Sequence, residues 1–129
     1  MAFAEMNHEV APAEFLKNAV GDLSGIEIFH NQVLIAVYQR PEKTKSGILL
    51  AHSTRDEDRY QSKIGLVLKK GPQAFVSGGD YVFETPLDIG DWAIYQPSSG
   101  WSVTVNGVLC RILVDTSVKG RVSHPDMIW

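Results

Sequence analysis

The side chains best able to do chemistry in this chain are four histidines, one cysteine and a short acidic run. His8, His30, His52 and His124 are scattered, with no pair at the close spacing by which a zinc site draws two ligands from one element. Asp56-Glu57-Asp58 is contiguous and flanked by Arg55 and Arg59. A calcium loop needs acids at alternating positions, a central glycine and a distant glutamate, so this run reads as a solvated charge cluster. Gly65 to Gly71 lacks the phosphate-loop spacing and the hydroxyl residue after lysine. Gly78-Gly79 lies between strand-like segments rather than before a helix, which excludes a dinucleotide fingerprint. No serine sits in a nucleophile elbow. Cys110 lies mid-strand between Leu109 and Arg111, where a buried, inert thiol is the usual outcome. As the only cysteine it forms no internal disulfide and no thiolate cluster. Trp92, Trp101, Tyr81 and Phe83 could stack nucleic-acid bases, but no basic stripe accompanies them and the net charge is −3. The expectation is a chain that is not an enzyme, takes no cofactor or metal, and binds neither nucleic acid nor membrane.

What remains is apolar rather than catalytic. Ile48-Leu49-Leu50 stands inside a charged, strand-breaking stretch from Pro41 to Lys63, preceded by Pro-Glu-Lys-Thr-Lys-Ser-Gly and followed by Ala-His-Ser-Thr-Arg-Asp-Glu-Asp-Arg-Tyr. Those flanks offer no second apolar residue at helix or strand spacing to build a core face. The triplet either folds back onto the domain or waits for a partner.

The elements that must hold such a segment are mostly strands. At 129 residues and 44% hydrophobic the chain suits one domain with arms. Pro12 at a helix start and Gly21 just past its end bracket a helix of about two turns, with Phe15, Leu16, Ala19 and Val20 on one face. Gln32 to Tyr38 is continuously apolar, as in a strand covered on both faces. Lys63 to Leu68 forms a shorter strand. Ala74-Phe75-Val76 and Tyr81-Val82-Phe83 around Gly78-Gly79 read as a hairpin. Trp92 to Tyr95 follows a turn-rich entry, and Asn106-Gly107 joins strands Trp101 to Val105 and Val108 to Val114. This order predicts an all-β fold, a small barrel or sandwich. Apolar runs are too short for a membrane-spanning helix, and Met1 to Asn7 lacks a basic leader, so the expected compartment is the cytoplasm.

Several segments resemble, in order, those of the GroES-type co-chaperonin family. Thr44-Lys45-Ser46-Gly47-Ile48-Leu49-Leu50 is similar to the family's mobile loop. Ile28 to Ile35 resembles its opening strand, and Gly65-x-Val67 with Gly71 resembles the strand after the loop. Leu87 to Tyr95 resembles the "V-K-V-G-D-x-V-L-F" segment, and Gly100 to Val118 the closing one. The chain departs from the family in having one loop glycine where two are usual, Ala51 where proline is common, and His30-Asn31-Gln32 where Asp-Arg is usual. Such divergence resembles phage-encoded versions, for which the compartment would be the bacterial host cytoplasm.

The resemblance implies a GroES-like β-barrel over 26–118, with a mobile loop at 40–63 and a roof hairpin at 72–86 that includes Phe75, Gly78, Gly79, Tyr81 and Phe83. It implies a homo-oligomer, a heptamer, that caps a GroEL-type chaperonin ring through Ile48, Leu49 and Leu50. Ser46 and Gly47 would present the triplet, and the partner would bind the ATP. An N-terminal extension (1–25) and a C-terminal tail (119–129) lie outside the family's ordinary bounds. Their apolar residues Phe15, Leu16, Met127, Ile128 and Trp129 are candidates for contacts with neighbouring subunits. The same arms leave a second reading open: a capsid decoration or cement protein that reuses the barrel, resides in the virion and grips a major capsid protein.

Overall fold

The computed structural model describes residues 10–39, 62–78 and 86–128. Helix α1 (Pro12–Val20) comes first, followed by strands β1 (Gln32–Val37), β2 (Ile64–Lys70), β3 (Trp92–Tyr95), β4 (Trp101–Val105), β5 (Val108–Val114) and β6 (Val118–Val122). The strands form one antiparallel sheet in the order β4-β5-β1-β2-β3-β6. This is the small all-β architecture expected of a GroES-like chain.

Strand β1 sits inside the sheet, and its side chains alternate between two separate cores. Val33 and Ile35 join Val67, Ala93, Tyr95 and Leu113 on one face, which we call the inner face. Leu34 and Ala36 join Ile64, Leu66, Trp92, Cys110 and Val122 on the other, outer face. A strand buried on both sides must be apolar at every position, and this accounts for the unbroken Val-Leu-Ile-Ala-Val run. The inner core is plugged by Ala74, Phe75 and Leu87, and the outer core is covered by Leu16, Val20 and Ile28.

Helix α1 has the bounds its punctuation predicts. Pro12 occupies the first turn, and Gly21 at φ 69 ends the helix with its N–H donating to the Lys17 carbonyl. Its buried face differs from the expected one. Leu16 and Val20 are buried and Ala13 packs beside them, whereas Phe15 and Ala19 stay exposed. Ala13, Leu16 and Val20 follow the i, i+3, i+7 spacing of a single stripe, and Phe15 and Ala19 lie about 100° round from it.

Two further differences are local. Ala74-Phe75-Val76 is not a strand. The chain turns there, with Ala74 N–H bonded to the Gly71 carbonyl and Val76 N–H to that of Gln73. Phe75 takes a left-handed φ of 58, which no strand permits. The sheet also runs past residue 118, because β6 pairs with β3 from Trp92↔Val122 to Tyr95↔Val118. Its Val-Lys-Gly-Arg-Val sequence has only two large apolar residues and a central glycine, a weak strand signal. At the β4–β5 hairpin, Asn106 (φ 50) and Gly107 (φ 82) both take the left-handed conformation of a primed turn, as the Asn-Gly pair requires.

Candidate docking loop and its root

The long segment between β1 and β2 leaves from two strands that lie side by side. Val37 pairs with Gly65, and just beyond that pair Tyr38 N–H donates to the Ile64 carbonyl at 3.0 Å. Ser62 is buried and donates through its hydroxyl to the same carbonyl at 3.2 Å. Tyr95 N–H reaches the Lys63 carbonyl at 2.9 Å and ties the returning chain to β3. A connection of this length between adjacent antiparallel strands is uncommon without a function, since two to five residues would join them. Ser46, Gly47, Ile48, Leu49 and Leu50 lie outside the described residues; Tyr38, Ser62 and Lys63 form the root on either side of them.

The tyrosine at that root has a partner far along the chain. Tyr38 donates its hydroxyl to the Asp126 carboxylate at 2.5 Å, and its ring meets Trp92 edge-on at 5.8 Å. Asp126 belongs to a 3-10 turn (Pro125–Met127) whose N-cap His124 accepts the Asp126 N–H on Nδ1. Pro125 and Asp126 are both buried. None of this was legible beforehand. The His-Pro-Asp run signals a turn but carries no mark of the partner it meets.

The base of the 72–86 segment is held by a second buried acid that sequence reasoning missed. Asp115 accepts from Asn31 Nδ2 and from Phe75 N–H, each at 3.0 Å. These bonds join the entry to β1, the end of β5 and the turn at Phe75. Lys70 Nζ donates to the Leu87 carbonyl at 3.1 Å and pairs with Asp88 at 3.3 Å. The N–H of Ile89 and, after it, Lys70 hold the Asp88 carboxyl below its usual range. Phe75 is thus buried at the root of this segment and Gly78 makes a bridge pairing, while Gly79, Tyr81 and Phe83 lie outside the described residues.

The arm residues divide. Leu16 is buried in the chain's own outer core, and Ile128 packs against that core. Phe15 is 61% exposed and Met127 is 51% exposed; Trp129 lies outside the described residues. Burial pushes the Cys110 thiol up to about 11, so it stays protonated and unreactive at neutral pH. Among the described residues no three His, Cys, Asp or Glu side chains converge on a metal position, and no helix is long and apolar enough to cross a membrane.

Comparison with known proteins gives this geometry a family. Residues 25–122 match the family described as Chaperonin 10 Kd subunit (Cpn10). A co-chaperonin GroES of Clostridioides difficile is 33% identical over 93 residues, which is 72% of this chain and 93% of that protein. One from Rhodobacter capsulatus is 27% identical over 94 residues, 73% of this chain and 94% of its own. One from Alkaliphilus oremlandii is 29% identical over 92 residues, 71% of this chain and 92% of its own. Helix α1 precedes the matched stretch and the 123–128 tail follows it. The chain therefore belongs to the Chaperonin 10 Kd subunit family, the family of the GroES co-chaperonins, and carries an additional element at each end.

Proposed function

We propose that this chain is a co-chaperonin that docks on a GroEL-type chaperonin ring and assists protein folding as a cap. The observation that carries the reading is the family match over 25–122, which spans the sheet and the long segment between β1 and β2. In this reading Ile48, Leu49 and Leu50 are the docking side chains, and Ser46 and Gly47 let the backbone turn to present them. The role needs no catalysis by this chain, because the partner ring binds the ATP. The expected compartment is that of the ring, the cytoplasm.

The energetics favour many weak contacts over one strong one. Burying each aliphatic side chain in a groove contributes about 1.5–3 kcal/mol. Ordering the loop backbone opposes this by about 1–2 kcal/mol per residue fixed. One loop alone would bind weakly and reversibly. A homo-oligomer, read here as a heptamer, makes each later loop contact intramolecular, so avidity raises the total affinity. Within such a ring the 72–86 segment, rooted by Phe75 and Gly78 and carrying Gly79, Tyr81 and Phe83, would form the roof. Phe15 and Met127 present exposed apolar surface for neighbouring subunits, a role we extend to Trp129. Leu16 and Ile128 act there mainly by holding the arms in place.

The test is ATP-dependent retention on a GroEL-type ring. Ile48→Asp is expected to lower retention at least tenfold while the far-ultraviolet spectrum and oligomer mass stay unchanged. Retention equal to that of the parent chain overturns the docking assignment. A solution mass of a monomer or trimer contradicts the ring.

A further inference from the structure

The tail after β6 does more than end the chain. It crosses back over the outer face, buries Pro125 and Asp126, and sets Ile128 against the outer core. Its buried carboxylate accepts from the hydroxyl of Tyr38 and has His124 Nδ1 at 3.9 Å from its other oxygen. Tyr38 is itself 2% exposed, wedged edge-on against Trp92, and its backbone N–H bonds the Ile64 carbonyl across the root of the long loop. Burying a carboxylate is costly unless it is well bonded, so the Asp126–Tyr38 pair fixes both partners in one arrangement. The residues that form it lie 88 apart in sequence, one at the loop root and one beyond the stretch matched by the family.

We propose that Ser123 to Ile128 is a latch, and that Asp126 is a positioning residue that holds Tyr38 and thereby fixes the direction in which the docking loop leaves the sheet. Its consequence for partner binding rests on the co-chaperonin reading; the latch itself does not. With Asp126 in place the loop departs from a root held by the Tyr38–Ile64 bond, the Trp92 ring and the tail. Without it Tyr38 loses the bond to the Asp126 carboxylate, and its cross-root bond to Ile64 opens more often. A loop leaving a looser root samples more directions, so more freedom is lost when it docks.

The experiment measures two quantities on the full-length chain. The first is the hydrogen-exchange rate of the Tyr38 amide relative to the amides of Leu34 to Ala36 in the same strand. Asp126→Ala should raise that ratio at least tenfold, and Tyr38→Phe, which removes only the hydroxyl, should do the same with the ring still against Trp92. Asp126→Asn keeps an acceptor oxygen and should stay within about threefold of the parent chain. Leu113→Ala, which loosens the inner core instead, should leave the ratio unchanged. An unchanged ratio in both Asp126→Ala and Tyr38→Phe overturns the latch. The second quantity is ATP-dependent retention on a GroEL-type ring, where Asp126→Ala should bind at least fivefold more weakly than Leu113→Ala. Equal retention of those two variants overturns the positioning role. A parent chain that is not retained at all counts against the co-chaperonin reading alone, and the exchange ratio still decides the latch.

Discussion

The two faces of the sheet are both buried, but they are closed by different parts of the chain. On the inner face Phe75, Ala74 and Leu87 come from the connection between β2 and β3, inside the stretch matched by the family. On the outer face Leu16 and Val20 come from α1 and Ile128 from the tail, both outside that stretch, while Ile28 on the approach to β1 lies inside it. The inner core is thus sealed by a segment anchored at both ends in the sheet, with Asp115 bonding Phe75 N–H from beneath. Most of the outer cover comes from arms that lie outside the matched sheet and are held to it by side-chain bonds from Asn106 to the Val20 carbonyl and from Tyr38 to Asp126. Equal burial therefore does not mean equal strength. An anchored plug has little freedom to leave, whereas an arm can detach and expose its face without unfolding the sheet.

Substitutions should separate the two. Phe75→Ala on the inner face should have the largest effect, a loss of about 3–5 kcal/mol in urea denaturation, because the cavity it leaves cannot collapse. A loss below 1 kcal/mol would mean that the inner face is not sealed by this plug. On the outer face Leu16→Ala should cost less, about 2–3 kcal/mol at the low end for a buried leucine, because α1 can shift or lift away. Its neighbour Phe15→Ser should change stability by no more than about 0.5 kcal/mol, since that ring is mostly exposed. Equal costs at Leu16 and Phe15 would contradict the helix placement.

Alkali should also distinguish the faces. Burial raises the Cys110 thiol on the outer face from 9.0 to about 11, and the Tyr95 phenol on the inner face from 10.0 to about 12. Both groups are held neutral in the fold, so the unfolded chain ionises first. Their stabilisation is complete below pH 9 and declines as pH rises toward 11 for the thiol and 12 for the phenol. Cys110→Ala should flatten the decline between pH 9 and 10 and leave the steeper part above it. A denaturation midpoint that falls equally in both chains from pH 9 would remove the thiol from this account.

Local patterns were read correctly wherever local physics decides. The Asn106-Gly107 pair can adopt left-handed angles cheaply, so the β4–β5 hairpin follows from two residues. The bounds of α1 follow from Pro12 and Gly21, and the strands Trp92–Tyr95, Trp101–Val105 and Val108–Val114 coincide with their expected limits. Order along the chain also exposed the family, because the matching segments stand in sequence. The Ala74–Val76 reading failed for a nonlocal reason. A buried carboxylate 40 residues away bonds Phe75 N–H and holds a turn that aromatic content alone would make a strand.

The sequence by itself determined the strand-rich class, the helix limits, the primed turn and the isolation of Ile48-Leu49-Leu50 among charges, since each depends on neighbours a few residues apart. Only the tertiary structure decided which flank of α1 is buried, that β6 completes the sheet, that Asp115 and Asp126 serve as internal anchors, and that the tail meets Tyr38 at the root of the loop. Those outcomes depend on which distant surfaces come into contact. A side chain's own neighbourhood in sequence carries no record of a partner 88 residues away.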